Sequence, residues 1–221
     1  MLGYETRKLD VQIGAFKGQV RALSDRMQFA DPSGSAEQAG ICDASWSLFG
    51  QLWPASNVLA QAVKRIGIKG RRILEVGCGL GLPSLVLQHR GADITASDHH
   101  PLAQTFLNYN TDLNHLPLIP YLDLPWATGG EGVEGFDLIV GSDILYEPNH
   151  AQLLVGLIAR IAKPVSTVLI SCPGRGHRNK FSSSMEALGY KLTETRLAFS
   201  EGELPPFKGR LLSYQREGLI V

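Results

Sequence analysis

Cysteine is scarce in this chain, and the few cysteines that occur are far apart. Cys42, Cys78 and Cys172 are an odd number among 221 residues, which argues against the paired disulfide framework of a small secreted domain. The N-terminal sequence also lacks the apolar core of a signal peptide. We therefore expect reduced thiols and a cytoplasmic location.

An excess of charge and a long apolar run are missing as well. Lys plus Arg total 21 and Asp plus Glu total 21, so we expect no broad nucleic-acid-binding surface. No apolar run has the length that a membrane span requires. Hydrophobic residues make up 44% of the chain, and the length suits one α/β domain with a proper core.

Metal-ligating residues are not clustered along the chain. His99 and His100 are adjacent, but no further His or Cys lies at the spacing of a zinc site. We therefore predict that the protein holds no metal ion.

The chain does contain one compact strand–turn–helix–strand unit. Residues 73–76 form an apolar run typical of a buried parallel strand. Residues 77–81 supply a glycine turn, residues 82–89 predict a helix with a proline in its first turn, and residues 93–96 predict a second strand. Asp98 follows directly. This arrangement predicts a site for an adenosine-type ligand.

The physical chemistry of the turn supports that prediction. Glycine lets the backbone approach a ligand closely, and the first amides of the following helix favour an anionic or polar group. Asp98 can accept hydrogen bonds from both ribose hydroxyls. The spacing Gly77-x-Gly79-x-Gly81 differs from the Gly-x-Gly-x-x-Gly of dinucleotide enzymes, which disfavours an NAD-dependent oxidoreductase. A tight turn without a ligand is the purely structural interpretation.

The rest of the chain alternates strands and helices, which favours a parallel, doubly wound sheet. Further helices are predicted near residues 55–66, 101–114, 149–162 and 180–188, and further strands over residues 118–122, 136–141, 165–172, 190–198 and 209–216. No helix separates the last two strands, so we expect an antiparallel hairpin at one edge of the sheet.

Residues 75–81, Glu-Val-Gly-Cys-Gly-Leu-Gly, resemble the first motif of the class I S-adenosylmethionine-dependent methyltransferases, Glu/Asp-x-Gly-x-Gly-x-Gly. The resemblance implies an α/β, Rossmann-like sheet of seven strands in the order 3-2-1-4-5-7-6, with strand 7 antiparallel. It covers residues 46–221, the expected methyltransferase domain. Residues 1–45 are predicted to be an N-terminal extension, made of a hairpin and a mobile loop, that could cover the active site.

Two more motifs resemble a narrower family. Residues 53–60, Trp-Pro-Ala-Ser-Asn-Val-Leu-Ala, precede the first strand of the sheet, and residues 143–146, Asp-Ile-Leu-Tyr, follow the fourth. The seven-β-strand protein lysine methyltransferases, the METTL21-like group of methyltransferase family 16, have Trp-x-Ala-x-x-x-Leu-Ala and Asp-x-x-Tyr at these places. The resemblance implies N-methylation of a protein lysine with S-adenosyl-L-methionine as cofactor and S-adenosyl-L-homocysteine as product.

The same resemblance implies roles for single residues. Asp143 and Tyr146 would line the pocket for the substrate amine as catalytic residues, and Glu75 would pair with the ammonium group of the cofactor. The residues expected to bind the cofactor are Trp53, Glu75, Gly77, Cys78, Gly79, Gly81, Asp98, His99, Asp123, Leu124, Trp126 and Ser142.

Each assignment has a structural alternative. Trp53 and Tyr146 could be packed aromatics, Trp126 could cap the end of the sheet, and Asp143 could cap a helix. The family usually has an acid or polar residue directly before the tryptophan that follows strand three, whereas here two residues separate Asp123 from Trp126. Which residue of this segment meets the adenine is therefore open.

The acceptor is open too. A small-molecule amine, as in nicotinamide-type N-methyltransferases, is the main alternative to a protein, and a non-catalytic S-adenosylmethionine-binding module is a further one. A wide pocket would favour a protein acceptor, while a lid made by residues 1–45 would favour a small molecule. The sequence leaves the oligomeric state open.

Overall fold

A computed structural model describes residues 3–174, 176–196 and 209–218. Its strands are β1 (Thr6–Ile13), β2 (Phe16–Leu23), β3 (Arg72–Val76), β4 (Asp93–Ser97), β5 (Phe136–Ser142), β6 (Ala162–Cys172), β7 (Lys191–Arg196) and β8 (Arg210–Arg216). Its α-helices are α1 (Ser35–Gln38), α2 (Asp43–Trp46), α3 (Pro54–Val63), α4 (Leu82–His89), α5 (Ala103–Leu113), α6 (His150–Ile161) and α7 (Arg178–Ala187). A 3₁₀ turn, Ser47–Gly50, lies between α2 and α3.

Six strands form the main sheet in the order β4-β3-β5-β6-β8-β7. The first four are parallel, and β8 is antiparallel to both β6 and β7. The Rossmann-like order and the antiparallel edge predicted from the family resemblance are thereby confirmed. The connection between the last two strands, residues 197–208, lies outside the described residues.

The third predicted strand, over residues 118–122, is reduced to one isolated β-bridge. Tyr121 forms an isolated parallel bridge with Ala96, at the outer edge of β4, where the family order places that strand. The backbone of Ala96 donates to Pro120 O and accepts from Leu122 N, both at 2.9 Å. Pro117 and Pro120 lack the N–H groups that a longer ladder needs, so this segment follows the sheet edge without extending it.

The predicted N-terminal hairpin is present and packs on the domain. β1 and β2 pair antiparallel from Thr6↔Leu23 to Ile13↔Phe16, and the apolar residues of β2 belong to the same buried cluster as α4 and α5. Asn110 Oδ1 of α5 accepts from the amide of Arg21 at 2.7 Å. The hairpin is therefore held to α5 by polar contacts as well as by apolar packing.

Residues 31–45, expected as a loop, contain two short helices. The carboxylate of Asp31 accepts from the amides of Ala36 and Glu37 at 3.0 and 2.9 Å, which stabilises the start of α1. The boundary between an extension and a methyltransferase domain near residue 45 stays a prediction.

The core strands are enclosed on both faces. The side chains of Phe136, Leu138, Ile139 and Val140 in β5 are fully buried, as expected of a central parallel strand. Ser171 Oγ of β6 donates to Ala55 O at 2.7 Å, which ties the start of α3 to the carboxyl end of the sheet. Within the described ranges, no helix is both long and apolar enough to cross a membrane.

Candidate active site

The predicted site residues cluster at the carboxyl ends of β3, β4 and β5. The glycine turn follows β3, Asp98 follows β4, and residues 143–146 follow β5. In this sheet, β3 lies between β4 and β5, so the three segments are neighbours. Strand order reverses beside β3, and this is where doubly wound sheets bind their ligands.

All three motif glycines adopt backbone angles that side chains disfavour. The φ angles of Gly77, Gly79 and Gly81 are 62°, 51° and 76°, in the left-handed region. A Cβ on Gly79 would also lie only 2.8 Å from the carbonyl oxygen of Phe49. The turn therefore requires glycine at all three positions for its backbone conformation. At Gly79 it also requires glycine because the backbone of Phe49 lies so close.

Asp98 holds the glycine turn in place. Its Oδ2 accepts from the amide of Gly79 at 2.8 Å, and its Oδ1 accepts from the amide of His100 at 2.8 Å. Burial raises the pKa of Asp98, while these two amides oppose the increase. Each carboxylate oxygen retains acceptor capacity beyond these bonds, so the carboxylate can hold the turn and still accept from ribose hydroxyls.

Glu75 provides a buried carboxyl group beneath the turn. Its side chain is 0% exposed, and Oε2 accepts from the amide and the hydroxyl of Ser84 at 2.9 and 2.5 Å. Oε1 is buried and has no partner among the described residues. Burial raises the pKa of Glu75 to about 8, and the charge of Asp98 adds to the increase. A buried, unpaired carboxyl oxygen beside the turn fits the ammonium group of a methionine moiety.

Cys78 and His99 lie next to these two acids. The amide of Cys78 donates to Ser97 O at 3.0 Å, which links the turn to β4. Its thiol is buried, and burial raises its pKa. His99 is exposed, and its Nε2 lies 2.6 Å from Ala39 O in the N-terminal segment.

An aromatic cluster covers the turn from the N-terminal side. The rings of Phe49 and His100 stack at 3.8 Å, and Trp46 contacts both rings edge-on. Trp53 lies nearby and is half-buried; its indole N–H donates to Leu48 O at 2.8 Å. Residues 46–53 therefore lie against the predicted cofactor site, and from residues 1–45 Ala39 O approaches it through His99. That residues 1–45 cover the active site stays a prediction.

Asp143 and Tyr146 lie where the motif predicts, in the loop after β5. Asp143 has a left-handed φ of 51°, uncommon for a residue with a side chain, and its amide donates to Ser171 O at 2.8 Å. Helix α6 begins only at His150, so the helix-capping interpretation of Asp143 is wrong. Tyr146 is 43% exposed, so it is not a packed core aromatic.

Trp126 lies on the Tyr146 side of the site. The imidazole of His150 contacts the rings of Trp126 and Tyr146, with centroids 5.3 and 4.6 Å apart. His150 is not among the residues predicted from the sequence; the available signal was its place at the start of the helix that follows the Asp-x-x-Tyr motif.

The neighbouring assignments stay predictions. Leu124 is buried beneath this edge, Asp123 is exposed, and Ser142 is half-buried at the end of β5. Over the part of the chain that the structure describes, no group of three or more His, Cys, Asp or Glu side chains could hold a metal ion.

Comparison with known proteins agrees with this geometry. A family model described as lysine methyltransferase matches residues 42–188. The chain is 30% identical over 164 residues to the protein N-lysine methyltransferase METTL21A of Danio rerio, a match that spans 69% of each chain. It is 32% identical over 108 residues to the histone-arginine methyltransferase METTL23 of Xenopus laevis, and this match spans 46% of each chain. The matched region is therefore about half the length of that second relative.

The fold is shared with solved methyltransferases. The T. thermophilus 16S rRNA N2 G1207 methyltransferase RsmC, solved in complex with AdoMet and guanosine, superimposes with a TM-score of 0.64 at 17% identity. The match covers 96% of this chain and 51% of that chain. At this identity the likeness concerns the fold alone.

Proposed function

The chain belongs to the lysine methyltransferase family, and on that basis we propose that it methylates the side-chain amine of a lysine in a protein. It is an enzyme whose cofactor is S-adenosylmethionine. The alternatives of an NAD-dependent oxidoreductase and of a non-catalytic binding module are not favoured.

The proposal depends on one observation: a set of cofactor-site residues and a set of acceptor-site residues lie side by side at one edge of the sheet. Glu75 and Asp98 frame the glycine turn, where they would hold the ammonium group and the ribose of the cofactor. Asp143 and Tyr146 follow β5 beside that turn, where an acceptor amine would enter. When bound, S-adenosylmethionine supplies a methyl group on a positively charged sulfur, which keeps the electron pair of the broken bond.

The chain's own residues have to orient and desolvate the amine. A lysine amine can attack only when it is neutral, and a partly dry site lowers its pKa. The carboxylate of Asp143 would attract the incoming cation, and the exposed ring of Tyr146 would form a wall of its channel. Alignment of the reactants then supplies much of the rate enhancement, and no covalent enzyme intermediate is needed.

A protein acceptor is favoured over a small molecule because both named relatives act on proteins. Arginine is the second candidate, since the METTL23 relative is a histone-arginine methyltransferase. The lysine description of the matching family model favours lysine.

Labelling identifies the acceptor directly. Cell extract is incubated with methyl-labelled S-adenosylmethionine and the protein, and labelled proteins are hydrolysed to amino acids. We expect labelled methyl-lysine. Labelled methyl-arginine would move the proposal to the second candidate, and label confined to small molecules would contradict a protein acceptor.

We also propose a cytoplasmic location. The support is that Cys42 is an exposed free thiol, while Cys78 and Cys172 are free and buried. Cell fractionation with an antibody to the protein tests this proposal, and recovery in a secreted or periplasmic fraction would contradict it.

A further inference from the structure

His150 has a fixed orientation beside the predicted acceptor pocket. Its Nδ1 lies 3.0 Å from Ile144 O, inside the Asp-x-x-Tyr segment itself. A carbonyl oxygen only accepts, so Nδ1 carries the proton of the neutral ring and Nε2 carries the lone pair. The hydrogen bonds of the described residues use only Nδ1 of this ring.

The surroundings of His150 suit a long apolar side chain with a polar end. The imidazole is half-buried and packs edge-on against Trp126 and Tyr146, at interplanar angles of 71° and 75°. Two aromatic rings beside a hydrogen-bond acceptor can accommodate the methylenes of a lysine and its terminal amine.

We propose that His150 is a positioning residue for the acceptor, and that its Nε2 accepts a hydrogen bond from the lysine amine. This inference rests on the proposed function. A neutral amine has two N–H bonds and one lone pair. When one N–H bond is directed at Nε2, fewer orientations of the lone pair remain, and attack on the methyl group is favoured.

The charged groups around His150 are compatible with a neutral ring. Burial lowers the pKa of His150, and the imidazoles of His177 and His99 lower it further, whereas Glu147 and the contact with Ile144 O raise it. His177 precedes α7, and His99 follows Asp98 at the cofactor site. A neutral imidazole accepts at Nε2, while a protonated one would donate there and repel a cationic lysine.

Two substitutions separate positioning from a purely structural role. H150N keeps an N–H donor near the Nδ1 position and removes the acceptor at Nε2. H150Q places an amide oxygen near the Nε2 position and removes the donor near Nδ1. A structural role in the bond to Ile144 O predicts that H150N is the better enzyme, whereas our proposal predicts the reverse.

Initial rates of methyl transfer to the proteins of a cell extract, from labelled S-adenosylmethionine, provide the measurement. We expect H150N to be slower than wild type by about tenfold or more, and H150Q to stay within about threefold. Affinity for S-adenosylhomocysteine should stay within about threefold for both variants. A rate of H150N equal to or above that of H150Q overturns the proposal.

The pH profile is a second measurement, and it uses H150Q, which retains activity. Wild-type rates should fall as the pH falls through the pKa of His150, below its usual value of about 6.5. H150Q should lack this acid limb, and E147Q should move it to lower pH, because Glu147 favours the protonated ring. At saturating S-adenosylmethionine, the ratio of wild-type to H150Q rates cancels the protonation of the lysine, which lowers both rates. A ratio that does not fall at low pH overturns the inference. Wild-type protein that binds S-adenosylhomocysteine but labels nothing contradicts the proposed function instead.

Discussion

The imidazole of His100 stacks on the phenyl ring of Phe49, with centroids 3.8 Å apart and planes at 13°. This contact joins the 3₁₀ turn Ser47–Gly50 to the loop that carries Asp98. His100 is 5% exposed, its Nε2 has no partner among the described residues, and burial lowers its pKa to about 4. The ring is therefore neutral at physiological pH, and the stack involves no charge. It holds the 3₁₀ turn against the cofactor site by apolar contact.

Removal of the Phe49 ring should affect both stability and cofactor affinity. Phe49 is 8% exposed, so F49A should lower the free energy of unfolding by about 3 kcal/mol. Because Phe49 O lies against Gly79, we also expect weaker binding of S-adenosylhomocysteine, by about tenfold. Denaturant unfolding and calorimetry measure the two effects.

F29A is the matched control for that variant. Phe29 also contacts Trp46 but is 47% exposed, so its removal should cost less than about 1.5 kcal/mol and leave cofactor affinity unchanged. Equal cofactor affinities of F49A and wild type would show that the 3₁₀ turn covers the site without contributing to binding.

Asp98 should matter for the cofactor through two contacts at once. D98A removes the predicted ribose acceptor and also the hydrogen bonds to the amides of Gly79 and His100. Charge-assisted hydrogen bonds are worth about 1.5–3 kcal/mol each at best, so affinity for S-adenosylmethionine should fall at least about tenfold. D93A is the control: Asp93 is an exposed carboxylate at the start of β4, the strand that Asp98 follows, and it pairs only loosely with Arg72 at 3.8 Å, so this variant should bind the cofactor normally. Normal cofactor binding by D98A would mean that another group holds the ribose.

The sheet was predictable because its signals are local. The apolar run of β3, the three glycines and Pro83 at the start of α4 each identify an element without reference to the rest of the chain. The predicted helix over residues 82–89 has the same bounds in the structure. The cofactor side of the site follows from these elements, because the ends of adjacent parallel strands have to meet.

The contacts that complete the site were less predictable because they are non-local. His150 contacts Trp126 across 24 positions of sequence, and Phe49 stacks on His100 across 51. No periodicity encodes such pairs. The prolines that shorten the third predicted strand were visible in the sequence, but their effect depends on where β4 presents its outer edge.

Asp143 and Tyr146 should matter for transfer and not for cofactor binding. In D143A and Y146A we expect methyl transfer to fall by about tenfold or more, taking each lost contact as about 1.4 kcal/mol. Affinity for S-adenosylmethionine should stay within about threefold, because under about 0.7 kcal/mol of it should depend on these residues. D112A, which removes an exposed acid of α5 with no predicted role at the site, is the comparison. Normal turnover by D143A would remove the main support for the acceptor pocket.

Glu75 should couple cofactor binding to proton release. Burial raises its pKa from 4.5 to about 8, so the free protein holds this carboxyl group protonated at neutral pH. The folded protein binds this proton more tightly than the unfolded chain does. The resulting contribution to the free energy of unfolding is fully present below pH 4.5 and is lost as the pH rises through about 8. An ammonium group paired with Oε1 favours the ionised form, so binding at pH 7 should release close to one proton. Affinity should then rise with pH up to about 8 and level off above it.

Calorimetry in buffers with different ionisation enthalpies measures that proton directly. E75Q retains the shape of the side chain but cannot ionise, so we expect weaker binding of S-adenosylmethionine, no proton release and no dependence of affinity on pH in this range. S84A is the control, because it removes one hydrogen bond to Oε2 and leaves the carboxyl group in place. It should raise the pKa of Glu75 further, since that bond lowers it, and shift the rise in affinity to higher pH. Proton release by E75Q equal to that of wild type would assign the titration to another group and leave Glu75 without a role at the ammonium.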